Sequence, residues 1–300
     1  MEINVFNREK DCFQKEKVYG QKMINWLYGT KAGLLASSLL CGQRLSKLYG
    51  LIQDSQLLSQ HKIKKFIKDF DIKMSEFEPE EGGSKEQPFS SFNKFFVRKF
   101  KKGERAFPER EADMGAFAEG RYLGFESVGP QVKVPVKGKY LDPVSIISNE
   151  KWSNYFLDGP LVIGRLCPTD YHRFHFPDGG KVLDFYTISG ELHSVNPLAI
   201  KQKKDVFLKN ERHVTILETE NFGKLAYVEV GAMMVGKIVQ TFEGKSFSRG
   251  QEKGYFLFGG STVIVIGEKG KWRPSSDIVN FSKEGIEVFL KLGNVIAQNA

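Results

Sequence analysis

The segment Gly254-Tyr-Phe-Leu-Phe-Gly-Gly-Ser-Thr-Val-Ile-Val-Ile-Gly267 places a serine directly after two glycines, between two unbroken apolar runs. A glycine leaves its carbonyl unshielded and opens backbone angles closed to other residues. A hydroxyl at Ser261 can therefore lie beside the carbonyl carbon of Gly260, the geometry for an N-to-O acyl shift. An ordinary Gly-Gly turn would look the same in this segment alone. A second segment, Cys167-Pro-Thr-Asp-Tyr-His-Arg-Phe-His-Phe-Pro177, holds two of the five histidines, His172 and His175. They read as a pair of surface imidazoles, as half a metal site, or as bases. No cysteine or carboxylate cluster at zinc-like spacing completes a metal site, so none is expected. A third segment, Phe117-Ala-Glu-Gly-Arg-Tyr122, sets the carboxylate of Glu119 beside a glycine. Together the three supply a hydroxyl, imidazoles and a carboxylate, the parts of a nucleophile, base and orienter.

These side chains need a frame, and the chain has two grammars. Ile63, Phe66, Ile67 and Phe70 recur at helical spacing among Lys62, Lys64, Lys65 and Lys68. Phe92, Phe95, Phe96 and Phe100 repeat the pattern up to Lys102, and the stretch from Met23 to Leu48 is richer in leucine still. Such stripes are core faces of packed helices, or, with lysines alongside, helices lying in a headgroup layer. From about Ala106 the chain turns to short apolar runs broken by glycine and proline: Val132–Val136, Leu161–Ile163, Val214–Leu217, Leu225–Val230 and Tyr255–Ile266. The expected fold class is α+β. A helical, membrane-associating region over residues 1–105 precedes a mostly antiparallel, β-rich catalytic domain over residues 106–300. The continuous runs on either side of Gly259-Gly260-Ser261-Thr262 predict two buried strands joined by an internal turn.

Composition narrows the partners. The 300 residues carry a formal net charge of +8, which favours an anionic partner. No nucleic-acid-binding motif is present and the basic residues are spread among the helical stripes, so nucleic acid is not expected. Cys12, Cys41 and Cys167 are far apart and odd in number, which points to a reducing compartment. Residues 1–17 have no apolar centre, so no secretory leader is expected. The longest uncharged runs, Lys31 to Arg44 and Lys253 to Glu268, fall short of the roughly 20 apolar residues of a spanning helix. A membrane association would be peripheral.

The Gly-Ser-Thr between apolar runs and the Asp-Tyr-His-Arg-x-His run resemble the maturation site and histidine block of phosphatidylserine decarboxylases. Phe92-Asn-Lys-Phe-Phe-Val-Arg-Lys-Phe-Lys101, Leu192-His-Ser-Val-Asn-Pro197, Asn210-Glu-Arg212 and Val230-Gly-Ala-Met-Met-Val-Gly236 are similar to further blocks of that family, in its order. The resemblance covers roughly Ser91 to Ile266. Two departures stand out at Glu119, where the family has aspartate, and at Phe117, where proline is usual. Gly259 replaces a common leucine.

The resemblance implies autoendoproteolysis between Gly260 and Ser261, giving chains 1–260 and 261–300 that stay together. Ser261 would be the nucleophile and become a covalent pyruvoyl cofactor. His175 would take its proton, Glu119 would orient His175, and His172 would serve decarboxylation. The reaction implied is phosphatidylserine to phosphatidylethanolamine, on the cytoplasmic side of a bacterial inner membrane, with anionic lipid as a surface partner and a homodimer left open. The alternatives are a pyruvoyl decarboxylase of another amine and an uncleaved lipid-binding relative. A serine hydrolase is disfavoured because no Gly-x-Ser-x-Gly elbow occurs.

Overall fold

Burial alternates along strand Gly180–Ile188 but is unbroken along Leu161–Leu166 and Ser261–Gly267, which separates the edge of one large sheet from its middle. The computed structural model describes residues 3–17, 19–33, 55, 59–129, 143–194, 206–232, 237–257 and 261–300. Val132–Val136, Gly260 and most of the Met23–Leu48 stretch lie outside them.

Among the described residues the large sheet has ten strands. Their order is 246–247, 180–188, 212–219, 224–230, 261–267, 161–166, 120–125, 287–290, 4–7 and 12–15. All neighbours are antiparallel except Asn4–Asn7, which runs parallel to Glu287–Leu290. The fold is therefore α+β with mostly antiparallel sheet, as the segment grammar predicts. Ser261 opens a central strand, opposite Leu166 on one side, while Thr262 faces Val230 on the other. A second sheet of three strands, Ile238–Gln240, Glu252–Phe256 and Arg173–His175, is separate from it.

The core explains the spacing of small and large residues here. Phe117 packs on Tyr122 and Tyr227 with ring centroids 5.4 and 5.6 Å apart. A Cβ at Gly164 would lie 3.1 Å from both Phe117 and Tyr122, so a glycine lets these rings meet the sheet. The Tyr122 hydroxyl donates to the Ala118 carbonyl at 2.6 Å, pinning the turn that carries Glu119.

Three expectations are corrected. Residues 4–15 are not helical: Asn4–Asn7 and Cys12–Lys15 form a hairpin that extends the large sheet, with Val5 and Asn7 buried alternately. The helical stripes begin only later in the chain, and a period of two decides this segment. The Phe92–Lys102 pattern is helical only over Phe92–Phe96; Phe100 instead pairs with Phe77 and stacks on it at 4.7 Å. The two apolar runs around Ser261 are not a paired hairpin. Glu252–Phe256 belongs to the small sheet and Ser261–Gly267 to the large one, so the chain changes layers between them.

Helix His61–Phe70 buries Ile63 and Phe66 against Phe89, Phe92, Phe95 and Phe96. Each such buried side chain contributes roughly 1.5–3 kcal/mol relative to exposure. This stripe is thus a core face, and the lysines Lys64, Lys65 and Lys68 point outward. On helix Gln21–Gly29, Leu27 and Tyr28 are buried while Met23 and Trp26 are exposed. No helix among the described residues is long and apolar enough to cross a membrane.

Candidate active site

Ser261 is fully buried, and its hydroxyl lies 3.3 Å from His172 Nδ1. The other ring nitrogen, Nε2, is 2.9 Å from the Cys167 carbonyl oxygen. A carbonyl can only accept, so Nε2 carries the proton and Nδ1 presents a lone pair to the serine O–H. The ring is held flat against Phe96, with centroids 3.9 Å apart and planes 22° apart. Burial pushes the His172 pKa down to about 3, against the pull of the Cys167 carbonyl, and Arg98 and Arg121 lower it further. At neutral pH the imidazole is uncharged and able to accept a proton.

The loop that presents the Cys167 carbonyl is closed on itself. Asp170 N–H donates to the Cys167 carbonyl at 2.9 Å, and Cys167 N–H donates to Asp170 Oδ2 at 2.6 Å. This reciprocal turn uses the aspartate as side-chain acceptor. Arg121 forms an ion pair with Asp170, and Arg98 donates to the Thr169 and Asp170 carbonyls, both at 3.1 Å. Arg121 also meets Glu16 at 3.0 Å, and Arg165 meets Glu16 at 2.7 Å. Although burial opposes it, Arg165 and Arg121 hold the Glu16 carboxyl down at about 2. The N-terminal hairpin thereby supplies a counter-charge to the loop behind the active site.

His175 and Glu119 have other partners than the resemblance implies. His175 Nδ1 donates to the Gly250 carbonyl at 2.9 Å, and Tyr171 hydroxyl meets Nε2 at 3.2 Å. Both ring nitrogens are thus engaged away from Ser261, and the imidazole at the serine hydroxyl is His172. Glu119 makes no hydrogen bond to His175 among the described residues. Its two oxygens receive Arg105 Nε at 2.6 Å and Nη2 at 3.1 Å, and the Leu292 amide adds a third contact at 3.2 Å. A bidentate guanidinium is the strongest competitor for a carboxylate, which is the physical reason for the difference. Glu119 lines a polar cleft of about 430 Å³ with Arg98, Arg105, Arg121, Asp170 and Tyr171. Gly260 lies outside the described residues. No group of three or more His, Cys, Asp or Glu side chains that could hold a metal occurs among the described residues.

Three of the sequence blocks that carried no stated chemistry meet one another at Asn210. Asn210 Oδ1 accepts the His193 amide at 2.9 Å, while its Nδ2 donates to the carbonyls of His193 and Gly231 at 2.8 and 2.7 Å. Residues missed by sequence reasoning are the Cys167 carbonyl, Asp170 with Arg121, and Phe96. Asp170 and Phe96 stood inside recognised blocks, and the closeness of Asp170 to His172 in the chain was the available signal. A backbone carbonyl leaves none.

Comparison with known proteins identifies the family of the chain. A family model described as phosphatidylserine decarboxylase matches residues 92–296. The phosphatidylserine decarboxylase proenzyme of Ruminiclostridium cellulolyticum is 38% identical over 296 residues, covering 98% of this chain and 97% of that protein. The proenzymes of Clostridium tetani and of Clostridium perfringens are each 39% identical, the first over 99% of this chain and 98% of its own length, the second over 98% and 99%. The chain belongs to the phosphatidylserine decarboxylase family.

Proposed function

We propose that this chain is a proenzyme that cuts itself between Gly260 and Ser261 and then decarboxylates phosphatidylserine to phosphatidylethanolamine. The observation that carries the reading is the buried contact of Ser261 Oγ with the unprotonated Nδ1 of His172, whose Nε2–H is fixed on the Cys167 carbonyl. A serine hydroxyl needs a base near neutral pH, and a neutral histidine can take the proton and return it.

In self-cleavage the Ser261 oxygen bonds to the Gly260 carbonyl carbon as its proton moves to His172. The carbon–nitrogen bond breaks, the proton passes to the amine, and an ester replaces the amide. Loss of the Ser261 α-proton then expels the Gly260 carboxylate and leaves an enamine at residue 261. Addition of water and loss of ammonia give the ketone of a pyruvoyl group.

The residues present suit that group: residue 261 is excluded from solvent at the start of a central strand, against an uncharged imidazole. A pyruvoyl group supplies an electron sink for the bond that releases carbon dioxide. His172 Nδ1 lies beside residue 261, so the same atom would hold or deliver the later proton as well. His175, tied to Gly250 and Tyr171, keeps the following strand in place. Chains 1–260 and 261–300 would remain together because strand Ser261–Gly267 is bonded on both sides to strands of the longer chain. The exposed Met23 and Trp26 and the outward lysines of His61–Phe70 support peripheral contact with an anionic bilayer. Intact mass of the purified protein tests the reading, since it reports two chains and the altered terminus of the shorter one. A single unmodified chain of 300 residues would refute it.

A further inference from the structure

Glu229 and Lys253 form an ion pair in which neither side chain reaches solvent, at 0% and 2% exposure. The mechanism above uses neither. Glu229 sits on strand Lys224–Val230 of the large sheet, opposite Val263, and Lys253 sits on strand Glu252–Phe256 of the small one. Ser261 and Val263 are two residues apart, so Glu229 shares the sheet face of Ser261 as its diagonal neighbour, about 7–8 Å away along the backbone. The pair therefore bridges the same two layers that meet at Ser261 and His172.

Two local features show how the lysine reaches inward. Residue 253 is the extra residue of a bulge: Glu252 faces His175, Gly254 faces Phe174, and no residue of Arg173–His175 opposes Lys253. Bulges re-aim a side chain at the cost of one ladder position. Gly254 follows because a Cβ there would lie 2.2 Å from the Val239 carbonyl oxygen and 2.7 Å from Phe174. Lys253 Nζ also donates to Gln240 Oε1 at 2.8 Å, while Glu229 Oε2 has no hydrogen-bond partner among the described residues. Burial raises the Glu229 pKa and lowers that of Lys253, and each is opposed by the attraction of the other. Removing one partner would leave a buried charge without compensation.

Beyond the bulge the strand continues toward Ser261 in the chain. Phe256 N–H donates to the His172 carbonyl at 2.9 Å, and Leu257 N–H to the Lys237 carbonyl at 3.1 Å. The strand that precedes the cleaved bond is thus held at one end by the ion pair and at the other by the residue that contacts the nucleophile.

We propose that Glu229 and Lys253 are positioning residues of self-cleavage, setting the strand that leads into residue 261 against the layer that holds the Ser261 hydroxyl. The proposal rests on the self-cleavage reading given above. It predicts that the two residues act as one unit.

Cell-free translation of the full chain, followed by denaturing gels over time, measures the cleavage rate. Protease resistance of the same samples measures folding. Lys253→Met and Glu229→Met should each slow cleavage of folded chain by about tenfold or more, as small misplacements of reacting groups do. The double variant, with no stranded charge, should be no slower than either single variant. Folded single variants that cleave at the wild-type rate, or single effects that multiply in the double variant, would overturn the proposal. If the single variants do not fold, Gln240→Leu decides. It keeps the pair and removes the second polar contact of Lys253, together with the contact of Gln240 Nε2 to His213 Nδ1 at 3.1 Å, and should slow cleavage by about threefold; an unchanged rate would overturn the proposal. A wild-type chain that is never cut would instead refute the proposed function.

Discussion

Arg121 and Arg165 stand directly opposite each other on neighbouring strands, two like charges on one sheet face. Facing like charges are destabilising unless compensated. Glu16, Asp170 and Glu287 supply the compensation, and Asp170 passes it on to the Cys167 turn that orients His172. The charge network and the imidazole beside the Ser261 hydroxyl are therefore one structure. Asp170→Ala should leave the loop without its side-chain acceptor and slow self-cleavage by about tenfold or more, whereas Asp170→Asn, which can still accept from Cys167 N–H, should lose less. Time courses of precursor and product on denaturing gels compare the two. Equal rates for both variants and the wild type would detach Asp170 from the mechanism.

Ser261→Ala should remain one chain of 300 residues and lack decarboxylase activity, because the attacking oxygen is absent. The wild type should yield chains of residues 1–260 and 261–300 without any protease. Cleavage of the alanine variant at the same bond would exclude Ser261 as nucleophile.

The two histidines should separate. His172→Ala removes the only imidazole that contacts the Ser261 hydroxyl among the described residues and should reduce self-cleavage by about 100-fold or more. His175→Ala breaks contacts to Gly250 and Tyr171 and should still mature, more slowly. The reverse pattern would restore the role that the family resemblance implies for His175.

Glu119→Gln should weaken the bidentate contact with Arg105 and destabilise the fold by roughly 1–3 kcal/mol, read as a lower unfolding midpoint. Self-cleavage should persist in the folded fraction. A folded Glu119→Gln chain that is not cut would return Glu119 to the site as an orienting carboxylate.

Acid should unfold the precursor earlier than its carboxylates alone require. His172 is held near 3 in the folded chain against about 6.5 when unfolded, so the unfolded state binds the extra proton between those values. Stability contributed by the neutral ring is present above pH 6.5 and is lost as pH falls toward 3, up to roughly 4–5 kcal/mol. Circular dichroism of Ser261→Ala from pH 8 to 3, compared with Ser261→Ala/His172→Gln, measures this. The double variant should show the lower acid midpoint; identical midpoints would contradict a buried neutral His172.

The apolar runs, the order of the motif blocks and the identity of the hydroxyl and imidazoles were legible in the sequence. An apolar run is a local property, so Leu161–Ile163, Val214–Leu217 and Leu225–Val230 announced the strands that span Leu161–Leu166, Arg212–Thr219 and Lys224–Val230. The helix His61–Phe70 did the same, although its stripe turned out to face Phe92 and Phe95 within the protein. Tertiary structure decided which histidine meets Ser261, because His172 and His175 are chemically alike and only the strand pairing of Arg173–His175 tells them apart. It decided the partner of Glu119, since Arg105 is 14 positions away and nothing in either residue type marks the other. It also split the runs around Ser261 between two sheets and drew Cys12–Lys15 into the larger one. Orientation of the His172 ring fell to the Cys167 carbonyl, a group every residue possesses. Side-chain types carry chemistry along the chain, but a backbone acceptor acquires a role only when folding brings a particular donor to it.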